Sequence, residues 1–182
     1  MKEQMHADVE RIMLTEAEMQ ARIKEIAGKL DLIYKDKNPV MVCILKGSIV
    51  FFSDLIRNMS AKMELDFMSV SSYGAGTTSG ELKIKQDLRT NIEGRDVLVV
   101  EDIIDSGNTL YALKKLLNDR KPASLNIITL LDKPERRVAP IVPDYTCFVI
   151  EDEFVIGYGL DYAEQYRNLP YVGVLKRSVY EK

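Results

Sequence analysis

Apolar residues recur along the chain in two rhythms, one that fits helices and one that fits strands covered on both faces. Thr15-Glu16-Ala17-Glu18 has the form of a capping box, with Glu18 three residues beyond an N-cap threonine. Behind it, Met19, Ile23, Ile26, Ala27, Leu30 and Ile33 fall at helical spacing and predict one inward face. Asn38-Pro39 ends that pattern. Val40–Leu45 is then apolar without interruption, as a strand with no solvent face must be. Ile49–Met59 reads as a helix and Glu64–Ser71 as a second strand.

Ser72–Gly80 is small, polar and glycine-rich, and it precedes the alternating Leu82-Lys83-Ile84-Lys85. Together these predict a hairpin with a long mobile loop at its tip. Val97–Val100 is another buried strand, followed by a helix from about Thr109 to Asp119 and the strand Leu125–Leu131. Apolar runs at Thr146–Ile150 and Tyr171–Leu175 complete the series. Strands alternating with helices imply an α/β domain on a mostly parallel sheet. No repeat, low-complexity tract or linker interrupts the chain, so residues 1–182 read as one domain.

Composition mainly excludes. At 182 residues, 46% hydrophobic and 29% charged, the chain is ordinary globular material. Lys plus Arg is 25 against 28 for Asp plus Glu, a net charge of −3. That balance speaks against broad attraction to nucleic acid or to a membrane, while leaving room for a local basic pocket. The opening MKEQMHADVE lacks the apolar core of a signal peptide, and no apolar run approaches the roughly 20 residues of a membrane span, so a cytoplasmic protein is expected. Cys43 and Cys147 lie in apolar runs, as buried reduced thiols do. His6, the only histidine, lies in a polar amino-terminal stretch, which speaks strongly against a Ser-His-Asp triad or a multi-histidine zinc site. Any acid or base must be a carboxylate, Lys, Tyr or Cys.

The densest chemistry follows Val97–Val100, where Glu101-Asp102-Ile103-Ile104 leads into Asp105-Ser106-Gly107-Asn108-Thr109 and a helix. In an open parallel sheet, ligands bind beyond the carboxyl ends of the strands, where these residues fall. Asp105–Thr109 offers backbone N–H groups, two hydroxyls and a helix amino terminus, a set that suits phosphate. Glu101 and Asp102 would repel phosphate, but a ribose diol or a magnesium ion suits carboxylates. A ribose 5-phosphate satisfies both halves. A Walker loop is absent, since no GxxxxGK[ST] occurs.

Val97–Thr109 resembles the phosphoribosyl-pyrophosphate signature of the type I phosphoribosyltransferases. Leu45-Lys46-Gly47-Ser48, Ser71-Ser72-Tyr73-Gly74, Leu131-Asp132-Lys133-Pro134 and Glu153–Tyr162 match the hypoxanthine branch of that family in order. The likeness runs from about Met13 to Leu175. It implies a mostly parallel central sheet flanked by helices, a flexible hairpin lid and a small hood. It also implies transfer of a phosphoribosyl group to hypoxanthine or guanine with magnesium, giving IMP or GMP and pyrophosphate. A xanthine-preferring enzyme and a phosphoribosyl-pyrophosphate-sensing regulator of the same fold remain the alternatives.

The resemblance also assigns roles. Glu101 and Asp102 take the ribose hydroxyls and help to position magnesium, while Asp105, Ser106, Gly107, Asn108 and Thr109 cradle the 5′-phosphate. Asp105 is expected to remove the purine N7 proton and, as the residue before the helix, to cap it. Lys46 and Gly47 hold pyrophosphate in a loop with a non-proline cis peptide; Ser48 is placed to cap the next helix. Ser72 and Tyr73 close over the pyrophosphate, and Arg167 contacts it. Lys133 donates to purine O6, Phe154 stacks on the base, and the Val155 backbone reads its edge. Asp161 holds a second magnesium beside the purine. A homodimer or homotetramer is expected on the same ground.

Overall fold

The computed structural model describes residues 2–72 and 82–181. A short α1 (Lys2–Ala7) leads into β1 (Val9–Leu14) and then into α2 (Glu16–Tyr34). The capping box forms: the Thr15 N–H donates to the Glu18 carboxylate at 2.8 Å, and Glu18 N–H returns a bond to Thr15 Oγ1 at 3.3 Å. Met19, Ile23, Ile26, Ala27 and Leu30 are buried as the spacing predicts. Ile33 is not. The row Ile26, Leu30, Tyr34 advances four residues at a time, so Tyr34 takes the inward place and Ile33 stays 37% exposed beside it.

β2 (Val40–Leu45), α3 (Ile49–Asn58), β3 (Glu64–Ser72), β4 (Leu82–Gln86), β5 (Asp96–Ile104), α4 (Asn108–Asn118), β6 (Ser124–Asp132) and β7 (Tyr145–Val149) build the body. They form a six-stranded sheet in the order β4-β3-β2-β5-β6-β7. Every pairing from β3 to β7 is parallel, and β4 joins the edge antiparallel to β3. The predicted hairpin is therefore present in its strands, while its tip beyond Ser72 lies outside the described residues. One sheet face packs Met41, Cys43, Leu98 and Val100 against α2 and α3. The other packs Val40, Val42, Val97 and Val99 against Leu110, Leu113 and Leu117 of α4. Two covered faces account for apolar runs without alternation.

Two expectations are corrected. Tyr171–Leu175 does not extend the parallel sheet. β8 (Val155–Ile156) and β9 (Val172–Leu175) instead form an antiparallel three-stranded sheet with β1, in the order β1-β9-β8. A run of four buried residues satisfies either sheet, and only long-range pairing with Val9–Leu14 decides between them. The central strand is also longer than Val97–Val100, because β5 stays paired with β6 through Ile103↔Leu131 and Ile104↔Asp132. The small sheet, with α5 (Arg177–Tyr180), makes a hood over the carboxyl ends of β5 and β6.

Candidate active site

A cavity of about 520 Å³ opens between the sheet and the hood. The body lines it with Asp102, Ile103, Asp105, Lys133 and Arg136, and the hood with Asp152, Phe154, Val155, Asp161 and Tyr180 among others. Residues as far apart in the chain as Asp102 and Tyr180 thus meet at one place, the carboxyl end of the central strands.

Glu101 and Asp102 belong to β5 itself, not to a loop after it. Asp102 Oδ1 accepts the Ile103 N–H at 2.7 Å. Burial pushes the Asp102 carboxyl up to about 6, a rise that this N–H and the nearby Arg167 only partly offset. Burial, and then the neighbouring Asp102 charge, hold Glu101 well above the usual carboxylate range. These are acids placed where they are electrostatically unfavourable, a pattern concentrated at functional sites.

Asp105 does not cap α4. Gly107 is the N-cap, with φ of 79° in the left-handed region that a side chain rarely adopts. A Cβ there would meet Ile141 Cγ2 at 2.8 Å and Arg137 Cδ at 2.9 Å. The Asp105 carboxylate instead accepts Arg136 Nε at 3.0 Å, and its carbonyl accepts Arg137 Nε at 3.1 Å. Ser106 is fixed by its carbonyl, which accepts the Val138 and Ala139 N–H groups at 2.9 and 3.0 Å. Asn108 and Thr109 begin α4, and the loop before them faces the same end of the sheet.

Lys46 and Gly47 follow β2 directly, and the cis peptide is Leu45–Lys46. A Cβ on Gly47 would lie 1.5 Å from Asp102 Oδ2, so only glycine lets this loop lie against that carboxylate. Gly159, with φ of 103°, packs onto the other side, where a Cβ would be 2.0 Å from the Gly47 carbonyl oxygen. Hood backbone, β2 loop and β5 carboxylate are therefore in direct succession. Ser48 provides no side-chain cap for α3. Its buried hydroxyl instead donates back to the Ile44 carbonyl at 2.6 Å, four residues earlier. Lys46 Nζ pairs with Glu164 at 3.0 Å. Ser72 ends β3 opposite Leu82, and Tyr73 lies outside the described residues.

Lys133 is not an exposed turn lysine. It is 7% exposed, and its ammonium donates to the Glu153 carbonyl at 2.6 Å with Asp152 Oδ1 at 3.6 Å. Phe154 keeps 38% of its surface open, while Val155 is buried in β8. Asp161 pairs with Arg167 at 2.8 Å and accepts the Glu164 N–H at 2.9 Å. Arg167 also donates to the Gly159 carbonyl at 2.8 Å.

Glu101, Asp102 and Asp161 do not gather into one metal cluster; no group of three or more ligating side chains occurs among the described residues. The donor chemistry nevertheless fits magnesium, which takes hard oxygens from one or two carboxylates and completes its shell from water and substrate phosphates. Among the lining residues that escaped the sequence reading as site members are Arg136, Asp152 and Tyr180. The first two carry a signal in their nearness to Lys133 and Phe154. Tyr180 carries none, since α5 reaches the cavity only through the folding of the hood.

The fold and the site together define a class. A phosphoribosyl transferase domain model matches residues 12–163, and the chain belongs to that family. The hypoxanthine-guanine phosphoribosyltransferase of Bacillus subtilis (strain 168) is 52% identical over 178 residues, covering 97% of this chain and 99% of the relative. The bifunctional protein TilS/HprT of Listeria monocytogenes is 51% identical over 181 residues; this chain spans 28% of that longer relative. A crystal structure of a hypoxanthine phosphoribosyltransferase from Staphylococcus aureus superposes with a TM-score of 0.95 at 50% identity, covering 98% of this chain and 97% of the other.

Proposed function

We propose that this chain moves the 5-phosphoribosyl group of phosphoribosyl pyrophosphate onto hypoxanthine or guanine, giving IMP or GMP and pyrophosphate. The observation that carries this reading is one cavity holding Asp102 and Asp105 together with a buried Lys133 and an open Phe154. The purine N9–C1′ bond forms as the bond from C1′ to pyrophosphate oxygen breaks, and pyrophosphate leaves with the electron pair. Asp105 takes the proton from N7, which makes N9 a better nucleophile. Glu101 and Asp102 hold the ribose hydroxyls, and Asp105–Thr109 surround the 5′-phosphate beside the amino terminus of α4. Lys46, Gly47, Ser72, Tyr73 and Arg167 take the pyrophosphate.

Lys133 donates to purine O6. It selects 6-oxopurines because adenine, with an amino group there, would set a donor against the ammonium in place of an acceptor. Phe154 stacks on the base and the Val155 backbone reads its edge. Magnesium would be held by Glu101, Asp102 and Asp161 with substrate oxygens, and it supplies neutralisation of the departing pyrophosphate charge. The same reading makes residues 1–182 a single domain, working in the cytoplasm as a homodimer or homotetramer, with no nucleic-acid or membrane partner. No described helix is long and apolar enough to cross a membrane.

The test is a panel of hypoxanthine, guanine, xanthine and adenine with phosphoribosyl pyrophosphate, with magnesium and with a chelator. Mononucleotide should form from hypoxanthine and guanine, require magnesium and be absent with adenine. No product from any base overturns the reading; product from xanthine alone reassigns the base.

A further inference from the structure

Phe154 is held by two other aromatic rings. Tyr180 of α5 lies nearly parallel to it, with centroids 4.8 Å apart and planes at 22°, and Tyr162 meets it edge-on at 5.7 Å and 85°. Tyr162 and Tyr180 also meet each other, at 6.4 Å and 62°. Packing places both tyrosines with the hood. Val155 points into the main core beneath the sheet, whereas its neighbour Ile156 points into the separate hood cluster with Leu169, Tyr171 and Leu175. Tyr162 and Tyr180 pack against that hood cluster. Tyr180 thus joins the hood cluster to Phe154 at the wall of the cavity that both residues line together with Ile103 of the body, and Phe154 keeps 38% of its surface open.

Resting on the function proposed above, we propose that Tyr180 is a positioning residue for the base. It backs Phe154 so that the ring presents a fixed face to an incoming purine. Phe154 otherwise sits just before a two-residue strand, with little backbone pairing to hold its plane. A stacked partner removes rotamer freedom that base binding would otherwise have to remove. The edge contact from Tyr162 braces the same pair. Tyr180 thus acts on the base, since the residues proposed for the sugar lie on the body, and Arg167 of the hood is tied to the Gly159 carbonyl and to Asp161 instead of to the aromatic rings.

Steady-state kinetics on Tyr180→Ala, Tyr180→Leu and Tyr180→Phe test this. KM for hypoxanthine should rise about three- to tenfold in Tyr180→Ala, the order expected for losing one aromatic pair. KM for phosphoribosyl pyrophosphate should stay within about twofold, and Tyr180→Phe should restore the wild-type value while Tyr180→Leu does not. An unchanged hypoxanthine KM overturns the inference. So does a lower one, which would mean that Tyr180 occupies the place of the base. Equal rises in both KM values, or full rescue by leucine, would reduce Tyr180 to bulk packing and overturn it too. A wild-type chain that forms no nucleotide overturns the underlying function as well. A working wild type with an unaltered Tyr180→Ala overturns this inference alone.

Discussion

Two carboxylates at opposite ends of the central sheet, Asp66 buried and Asp102 half-buried, behave in opposite ways. Asp66, near the start of β3, is 5% exposed and accepts three backbone N–H bonds, from Phe67, Arg89 and Thr90, each at 2.8 Å. Burial alone would raise its carboxyl, but these donors outweigh it and hold Asp66 below the usual range. Asp102, at the carboxyl end of β5, accepts the Ile103 N–H, and burial still pushes it up to about 6. The surroundings match this contrast. At the amino ends of the strands Arg95 pairs with Glu64, and Ser124 donates to Asp96. At the carboxyl ends Asp102 and Asp105 line a cavity, and the charge of Asp102 bears on Glu101. The lower end is arranged for the fold and the upper end is left for a ligand.

The contrast can be broken at several points. The largest effect belongs to Asp105→Asn, which keeps shape and removes the proton acceptor. Its kcat should fall about 10²- to 10⁴-fold with little change in affinity for phosphoribosyl pyrophosphate, and unchanged turnover in a stopped assay would refute the role of Asp105. Next comes Gly47→Ala, whose Cβ cannot fit 1.5 Å from Asp102 Oδ2. Displacing that loop should cost about a hundredfold in kcat/KM, with normal far-ultraviolet circular dichroism. Activity near wild type would show that the loop yields freely.

Asp66→Ala should show the reverse profile. Leaving several buried N–H groups without an acceptor costs about 2–4 kcal/mol in a denaturant titration, while KM and kcat of the folded fraction stay unchanged. Because the folded Asp66 carboxyl lies low, its contribution is fully present above about pH 4 and is lost as pH falls through the folded value. The gap between wild type and Asp66→Ala should therefore narrow in acid; a gap that widens there would contradict the assignment.

The same contrast explains what could be read from the residues. The body was legible because its strands are covered on both faces, and Val40–Leu45 needs no long-range information to be recognised. Val97–Thr109 was legible because strand, turn and helix start are contiguous. Its limits were less so: nothing local says that β5 runs on to Ile104, or that Gly107 and not Asp105 caps α4. The hood was the least legible part. β8 has two residues, and Tyr158, Ala163, Glu164 and Tyr166 all adopt positive φ. Such backbone is held by distant contacts, for example Gln20 Nε2 donating to Tyr158 Oη at 3.1 Å. Lys133 shows the same limit, since its burial under the Glu153 carbonyl depends on a hood that its own segment does not encode. Tyr180 depends on the whole chain being folded around it.

The smallest expected effect is also the most direct. Asp102→Asn removes a charge that the empty fold disfavours and that the proposed site requires. The measurement is the melting temperature of wild type and variant, each alone and with phosphoribosyl pyrophosphate and magnesium. Without ligand, the variant should melt about 2–4 °C above the wild type. With ligand, the wild type should rise and overtake it, while the variant gains little. A variant that melts below the wild type when empty, and gains as much from the ligand, would contradict the assignment of the upper end of β5 to the sugar and its metal.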